Sequence, residues 1–63
     1  MDPDRVFRRK EAAAKVGVCV RTLDRLRKTG AFPSPIQVSA RVRGWRGQTL
    51  IDWLASRPEV NHG

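Results

Sequence analysis

The stretch VGVCVRTLDRLRKTGAFPSP, residues 16–35, combines a glycine turn, a basic segment and a proline-broken loop. It follows an alanine-rich run, residues 8–16, that favours a helix by propensity. Gly17 stands where a left-handed residue ends a helix, and Gly30 with the prolines behind it ends a second helix over residues 20–29. The stretch therefore predicts two short helices joined by a sharp turn and followed by a stiff loop.

The second predicted helix carries its charges on one side. At about 100° per residue, Thr22, Leu23 and Leu26 fall on one face. The opposite face holds Arg21, Asp24, Arg25 and Lys28. Because the second helix of a helix-turn-helix lies in the major groove of DNA, this pattern predicts that the charged face reads DNA.

The polar residues of this helix have distinct expected roles. Arg21 can place a bidentate fork on guanine O6 and N7, whereas Arg25 and Lys28 are expected to hold phosphates. Asp24 could accept from a cytosine amino group, but we expect it to orient Arg21 or Lys28. Thr22 completes the predicted DNA-contacting set of this helix. The alternative is a solvated face on which Arg21 pairs with Asp24.

A two-stranded hairpin over residues 37–45 is predicted after the loop, with its tip near residues 39–41. Strict alternation would place Arg43 on the same face as Trp45, so Gly44 is expected to mark a bulge or bend. The hairpin would form a wing whose Arg41 and Arg43 reach phosphates or a neighbouring minor groove. A solvated hairpin with two surface arginines is the equally weighted alternative.

A third helix is predicted over residues 49–57, with Thr49 as N-cap and Pro58 as its stop. Its apolar stripe would close a small core. The stripe consists of Leu50, Ile51, Trp53 and Leu54. We expect Trp45 and Trp53 to pack in that core rather than to stack on unpaired bases.

The expected fold class is α+β, a small winged helix-turn-helix of three short helices and a two-stranded hairpin wing. The 63 residues suffice for one domain with a small core. We expect a flexible N-terminal segment over residues 1–5, a winged-helix DNA-binding domain over residues 6–57 and a flexible tail over residues 58–63.

Charge favours a polyanionic partner, since 13 Lys and Arg against 6 Asp and Glu give a net charge of +7. The single Cys19 forms no internal disulfide, and with His62 as the single histidine no zinc site or cofactor is expected. No apolar run approaches the length of a membrane span, so no membrane partner is expected and a reducing cytoplasm is the predicted location.

The run FRRKEAAAKVGVCVRTLDRLRKTGAFPSPIQV…RGWRGQTLIDWLASR, residues 7–57, resembles the AlpA-type prophage regulators and phage excisionases of the MerR-like winged-helix group. The most telling pieces are GAFP after the second helix and GWR before the last. The family usually has serine where Cys19 stands and often a hydroxyl or basic residue at Val20, so the N-cap of the second helix is poorer here.

The resemblance implies a small phage- or prophage-encoded protein of the bacterial cytoplasm, associated with the nucleoid. It would bind repeated duplex DNA sites and either control transcription or direct a phage integrase toward excision. The resemblance further implies several copies side by side on DNA, whereas in free solution we expect a monomer.

Other functions are weighed against this one. An adaptor that docks on an integrase or polymerase would have only non-specific nucleic-acid affinity and would expose an apolar edge of the Trp53 helix. RNA binding is a variant, although the aromatic-rich strands of common single-strand RNA readers are absent from the sequence. An enzyme is not expected, because so small a core can hardly enclose a catalytic pocket.

Overall fold

The computed structural model describes residues 1–60. It contains three helices and three strands: β1 (Val6–Phe7), α1 (Arg9–Val16), α2 (Val20–Lys28), β2 (Ile36–Gln37), β3 (Arg43–Arg46) and α3 (Gly47–Ala55). The predicted α+β class is confirmed. Residues 61–63, with His62 and the end of the predicted C-terminal tail, lie outside the described part.

The turn between α1 and α2 forms as predicted. Gly17 has φ 83°, in the left-handed region, and the Val18 amide donates to the carbonyl of Ala13 at 3.0 Å. Behind α2, Gly30 has φ 82° and the Ala31 amide donates to the carbonyl of Leu26 at 2.9 Å. Both glycines therefore end helices at little steric cost.

The sheet has three antiparallel strands in the order β1-β3-β2, so the prediction of a two-stranded hairpin alone was wrong. Phe7 pairs with Trp45 on one side of β3, and Ile36 pairs with Gly44 on the other. β1 escaped prediction because two residues directly before a helix are too few to show an alternating pattern. The hairpin tip lies near the predicted residues, since the Val42 amide donates to the carbonyl of Ser39 at 3.3 Å.

Gly44 does not mark a bulge, because Gly44 pairs with Ile36 and the residues on either side of it, Arg43 and Trp45, are also paired one to one. A Cβ at this position would lie 2.5 Å from the carbonyl oxygen of Phe7 and 2.8 Å from Cγ1 of Val6. Glycine is needed here for the close approach of β1. Arg43 keeps the face of Trp45, as alternation requires, but remains exposed.

Replacing Gly44 with alanine is expected to destabilise the protein by about 1–3 kcal/mol, because the added methyl must displace the backbone of β1. Urea unfolding followed by circular dichroism measures this loss. The matched control is Ala40→Ser at the exposed hairpin tip, which should change little. Equal stability of the two variants would contradict the close packing of β1 on Gly44.

Helix α3 begins at Gly47, so Thr49 lies within its first turn and is not the predicted N-cap. The physical reason is that backbone, not a side chain, satisfies its first amides. Gly47 donates to the carbonyl of Arg5 at 2.8 Å, and Gln48 donates to the carbonyl of Pro3 at 3.0 Å. The N-terminal segment thus caps α3; its flexibility in solution stays a prediction.

Phe32 connects the loop after α2 to the rest of the core. Its ring meets Trp45 edge to face at 5.5 Å and Trp53 at 4.7 Å. The buried set is Phe7, Ala12, Ala13, Leu23, Phe32, Trp45 and Leu50. Both indoles donate hydrogen bonds to loop carbonyls, Trp45 to Pro33 at 2.7 Å and Trp53 to Ala31 at 2.8 Å. Core packing is confirmed for Trp45, and Trp53 is half-buried.

Among residues 1–60, no helix combines the length and the apolar character that crossing a membrane requires.

Candidate nucleic-acid interface

The outward face of α2 is cationic and open to solvent. Arg21, Arg25 and Lys28 are exposed, while Leu23 on the opposite face is fully buried. Neither of the two salt bridges found within residues 1–60 involves these three cations. Asp24 is the one acidic residue between Ala12 and Ile51, so the charge of this face is almost unopposed.

Asp24 pairs across helices, with Arg9 of α1, at 3.3 Å between Oδ2 and the guanidinium. The expectation that it orients Arg21 or Lys28, and the alternative in which it pairs with Arg21, are therefore corrected. The Asp24 side chain faces the start of α1, so Arg9 is a nearer partner for it than Arg21 or Lys28, which lie one turn away on α2. The second oxygen, Oδ1, is buried and has no hydrogen-bond partner in the described part of the chain.

Thr22 lies at the start of α2 and faces Cys19. Its hydroxyl is 3.2 Å from the Cys19 sulfur. Cys19 holds the N-cap position, but it is exposed and its side chain makes no capping hydrogen bond, so it is neither a buried residue nor a side-chain cap. The hydrogen bond with the Thr22 hydroxyl holds the pKa of the Cys19 thiol below its ordinary value.

We therefore expect Cys19 to react with iodoacetamide at neutral pH faster than an unperturbed thiol does, because the thiolate is the nucleophile. Thr22→Val removes the hydroxyl and should raise the thiol pKa, moving the midpoint of the rate-against-pH curve upward. Mass spectrometry of quenched reactions gives these rates. An unchanged midpoint in the variant would contradict the stabilisation by Thr22.

The two arginines of the hairpin have different surroundings. Arg41 is exposed in the turn at the hairpin tip. Arg43 begins β3 and lies two residues before Trp45, on the same face of the strand. Arg43 therefore shares a face with Trp45, whose ring the Arg27 guanidinium of α2 approaches. That Arg41 and Arg43 act as wing residues stays a prediction.

A basic cleft lies between α2 and the sheet, and two of its three arginines were not predicted. Its lining residues are Arg9, Arg27, Pro35, Arg43 and Trp45. The Arg27 guanidinium carbon lies 5.8 Å from the centre of the Trp45 ring. An adjoining hollow shares Arg9 and Arg27 and extends the cleft to Lys28, with Asp24 as its one acidic lining residue. Cationic side chains of α1, α2 and β3 thus meet along one groove.

Arg9 and Arg27 escaped prediction for separate reasons. Arg27 is four residues beyond the buried Leu23, so its position on the helix borders the core side rather than the exposed stripe. This position next to the apolar face could have indicated that Arg27 packs on an aromatic side chain, since long cationic side chains often cover aromatic rings. Arg9 had no such signal, because its approach to α2 depends on how the two helices pack.

The arginines of the cleft are suited to binding anions. Within residues 1–60 no three metal-ligating side chains of His, Cys, Asp or Glu come together. Arginine guanidinium groups match the geometry of phosphate oxygens and stay charged throughout the physiological range.

Comparisons with protein-family models, with curated proteins and with solved structures found no match.

Proposed function

We propose that this protein binds double-stranded DNA in a sequence-specific manner, with α2 in the major groove and the β2–β3 hairpin as a wing. One observation carries the proposal: α2 has the exposed cations Arg21, Arg25 and Lys28, and its Arg27 lines a cleft together with the hairpin arginine Arg43. A surface made of a short helix and an adjoining hairpin fits the dimensions of duplex DNA grooves.

The fold supports this docking mode. α1 and α2 meet at a tight glycine turn, and Arg27 of α2 approaches the Trp45 ring of β3. This arrangement is compatible with a small winged helix-turn-helix in which β1 adds a third strand. Arg21 near the start of α2 would read guanine, and Arg25 and Lys28 would hold phosphates.

The biological role that we propose rests on the resemblance of residues 7–57 to AlpA-type regulators and phage excisionases. The protein would act as a monomer in solution, bind repeated sites cooperatively in the bacterial cytoplasm, and regulate transcription or direct an integrase toward excision. No catalytic function is proposed.

Titration of the ¹⁵N-labelled protein with duplex DNA tests the docking mode by NMR. We expect the amide shifts of α2 and of the hairpin around Arg41 and Arg43 to change, with small changes on the outer face of α3. The same titration with double-stranded RNA should need higher concentrations. Changes confined to α3 would contradict the proposal.

The second candidate function is an adaptor that docks on an integrase or polymerase. The observation that favours it is Leu54 on α3, whose exposure of 38% is high for a large apolar residue. Against it, Leu50 is fully buried and Ile51 and Trp53 are half-buried, so the apolar edge is narrow. This candidate predicts equal affinity for all DNA sequences.

A further inference from the structure

We propose that the basic cleft holds a single phosphate of the DNA backbone, shared by Arg9, Arg27 and Arg43. This inference rests on the proposed DNA binding and adds a specific anchoring point to it. The three arginines come from α1, α2 and β3, so one bound phosphate would fix both helices and the hairpin relative to the duplex.

Two of the three arginines contact a neighbour before any ligand arrives. Asp24 pairs with Arg9, and the Arg27 guanidinium lies by the Trp45 ring, while Arg43 is placed by its position in β3. Restraint of this kind lowers the conformational entropy lost on binding. Arg9 has a counter-charge in Asp24, but neither salt bridge within residues 1–60 involves Arg27 or Arg43, so an anion in the cleft would be attracted by both.

The inner part of the cleft, against Trp45, has room for a small anionic group. Its volume is about 230 Å³, below the roughly 300–1,000 Å³ typical of pockets that enclose whole small molecules, and it adjoins the hollow of about 430 Å³ that reaches Lys28. Buried Trp45 and half-buried Pro35 contribute its apolar part, and Arg9, Arg27 and Arg43 contribute all its charged groups. A phosphodiester linkage can enter such a cleft while the sugars and bases remain outside.

The salt dependence of binding counts phosphates rather than arginines. The slope of log K against log salt is about 0.9 per neutralised phosphate on B-DNA. If the three arginines share one phosphate, the triple variant Arg9→Gln, Arg27→Gln, Arg43→Gln should lower the slope by about 0.9 in total. Three separate phosphates would lower it by about 2.7.

The first experiment measures affinity for a duplex selected from a random pool across a salt series, for the wild type and the triple variant. The matched controls are Lys10→Gln on α1 and Arg46→Gln on β3, both exposed cations that do not line the cleft. The triple variant should lose about tenfold or more in affinity, as expected for charge-assisted hydrogen bonds, and the controls clearly less. A slope change near zero or near that of three phosphates would overturn the proposal.

The second experiment changes the DNA, so a folding defect cannot account for the result with the wild type. Each phosphate of the duplex is replaced in turn by a neutral methylphosphonate. Replacement at one linkage per bound protein should strongly reduce the affinity of the wild type. The same replacement should hardly change the affinity of the triple variant. No such linkage, or saturation of the cleft by inorganic phosphate alone at lower concentration than by duplex phosphate, would overturn the shared backbone contact. If selection yields no preferred sequence, the proposed function fails, yet the salt slope on an arbitrary duplex still tests the cleft, because that slope needs no fixed binding register.

Discussion

Replacing Phe32 with alanine is expected to leave most of the protein unfolded. Truncation of a buried phenylalanine costs about 3–5 kcal/mol, and domains of this size rarely have more than about that in total stability. Phe32 is 4% exposed and contacts both tryptophans, so its loss separates the loop after α2 from β3 and α3. Circular dichroism and urea titration would show the loss.

Val38→Ala is the matched control, because Val38 is an apolar residue of the hairpin that is 52% exposed. Its free energy of unfolding should lie within a few tenths of a kcal/mol of the wild-type value, as is usual for surface substitutions. Cooperative unfolding of Phe32→Ala at a urea concentration close to that of the control would show that Phe32 does not hold the core together.

Arg21→Gln is expected to reduce sequence discrimination rather than general affinity. A bidentate contact with guanine accounts for about 1–3 kcal/mol, so affinity for the preferred duplex should fall roughly 5- to 150-fold while affinity for scrambled DNA changes little. Arg21 is suited to this role because it is exposed near the start of α2 and Asp24 pairs with Arg9 instead. Fluorescence anisotropy with both duplexes gives the two affinities.

Arg25→Gln is the matched comparison on the same helix. Loss of a phosphate contact should weaken binding to both duplexes equally and lower the salt slope by about one unit. Two variants with the same ratio of preferred to scrambled affinity would contradict the distinction between a base-reading Arg21 and a phosphate-holding Arg25.

The helices were predictable because their signals are local. Gly17 and Gly30 carry the left-handed turns, and the alternation of Leu23 and Leu26 with charged neighbours sets the buried face of α2. The start of α3 was misjudged because the carbonyls of Pro3 and Arg5, far away in sequence, satisfy its first amides. No residue within α3 indicates that the N-terminal segment caps this helix.

The third strand and the basic cleft depend on packing between distant segments. Val6 and Phe7 become a strand only when β3 pairs with them. The bulge expected at Gly44 was wrong for the same reason, because the missing Cβ makes room for β1 instead. Arg43 and Trp45 can share one face because Arg43 lies in the exposed cleft and is not buried. The charged face of α2 was visible in the sequence, but the convergence of Arg9 and Arg27 with Arg43 required the folded chain.

The most direct test of sequence-specific DNA binding is selection of bound duplexes from a random pool at physiological salt. Affinity for the selected duplex is then compared with affinity for a scrambled duplex of equal length. We predict a short repeated motif and a ratio above about 10³, the lower end for specific DNA-binding proteins. A ratio near one would contradict specific recognition and would leave α2 and the basic cleft as a general grip on phosphates.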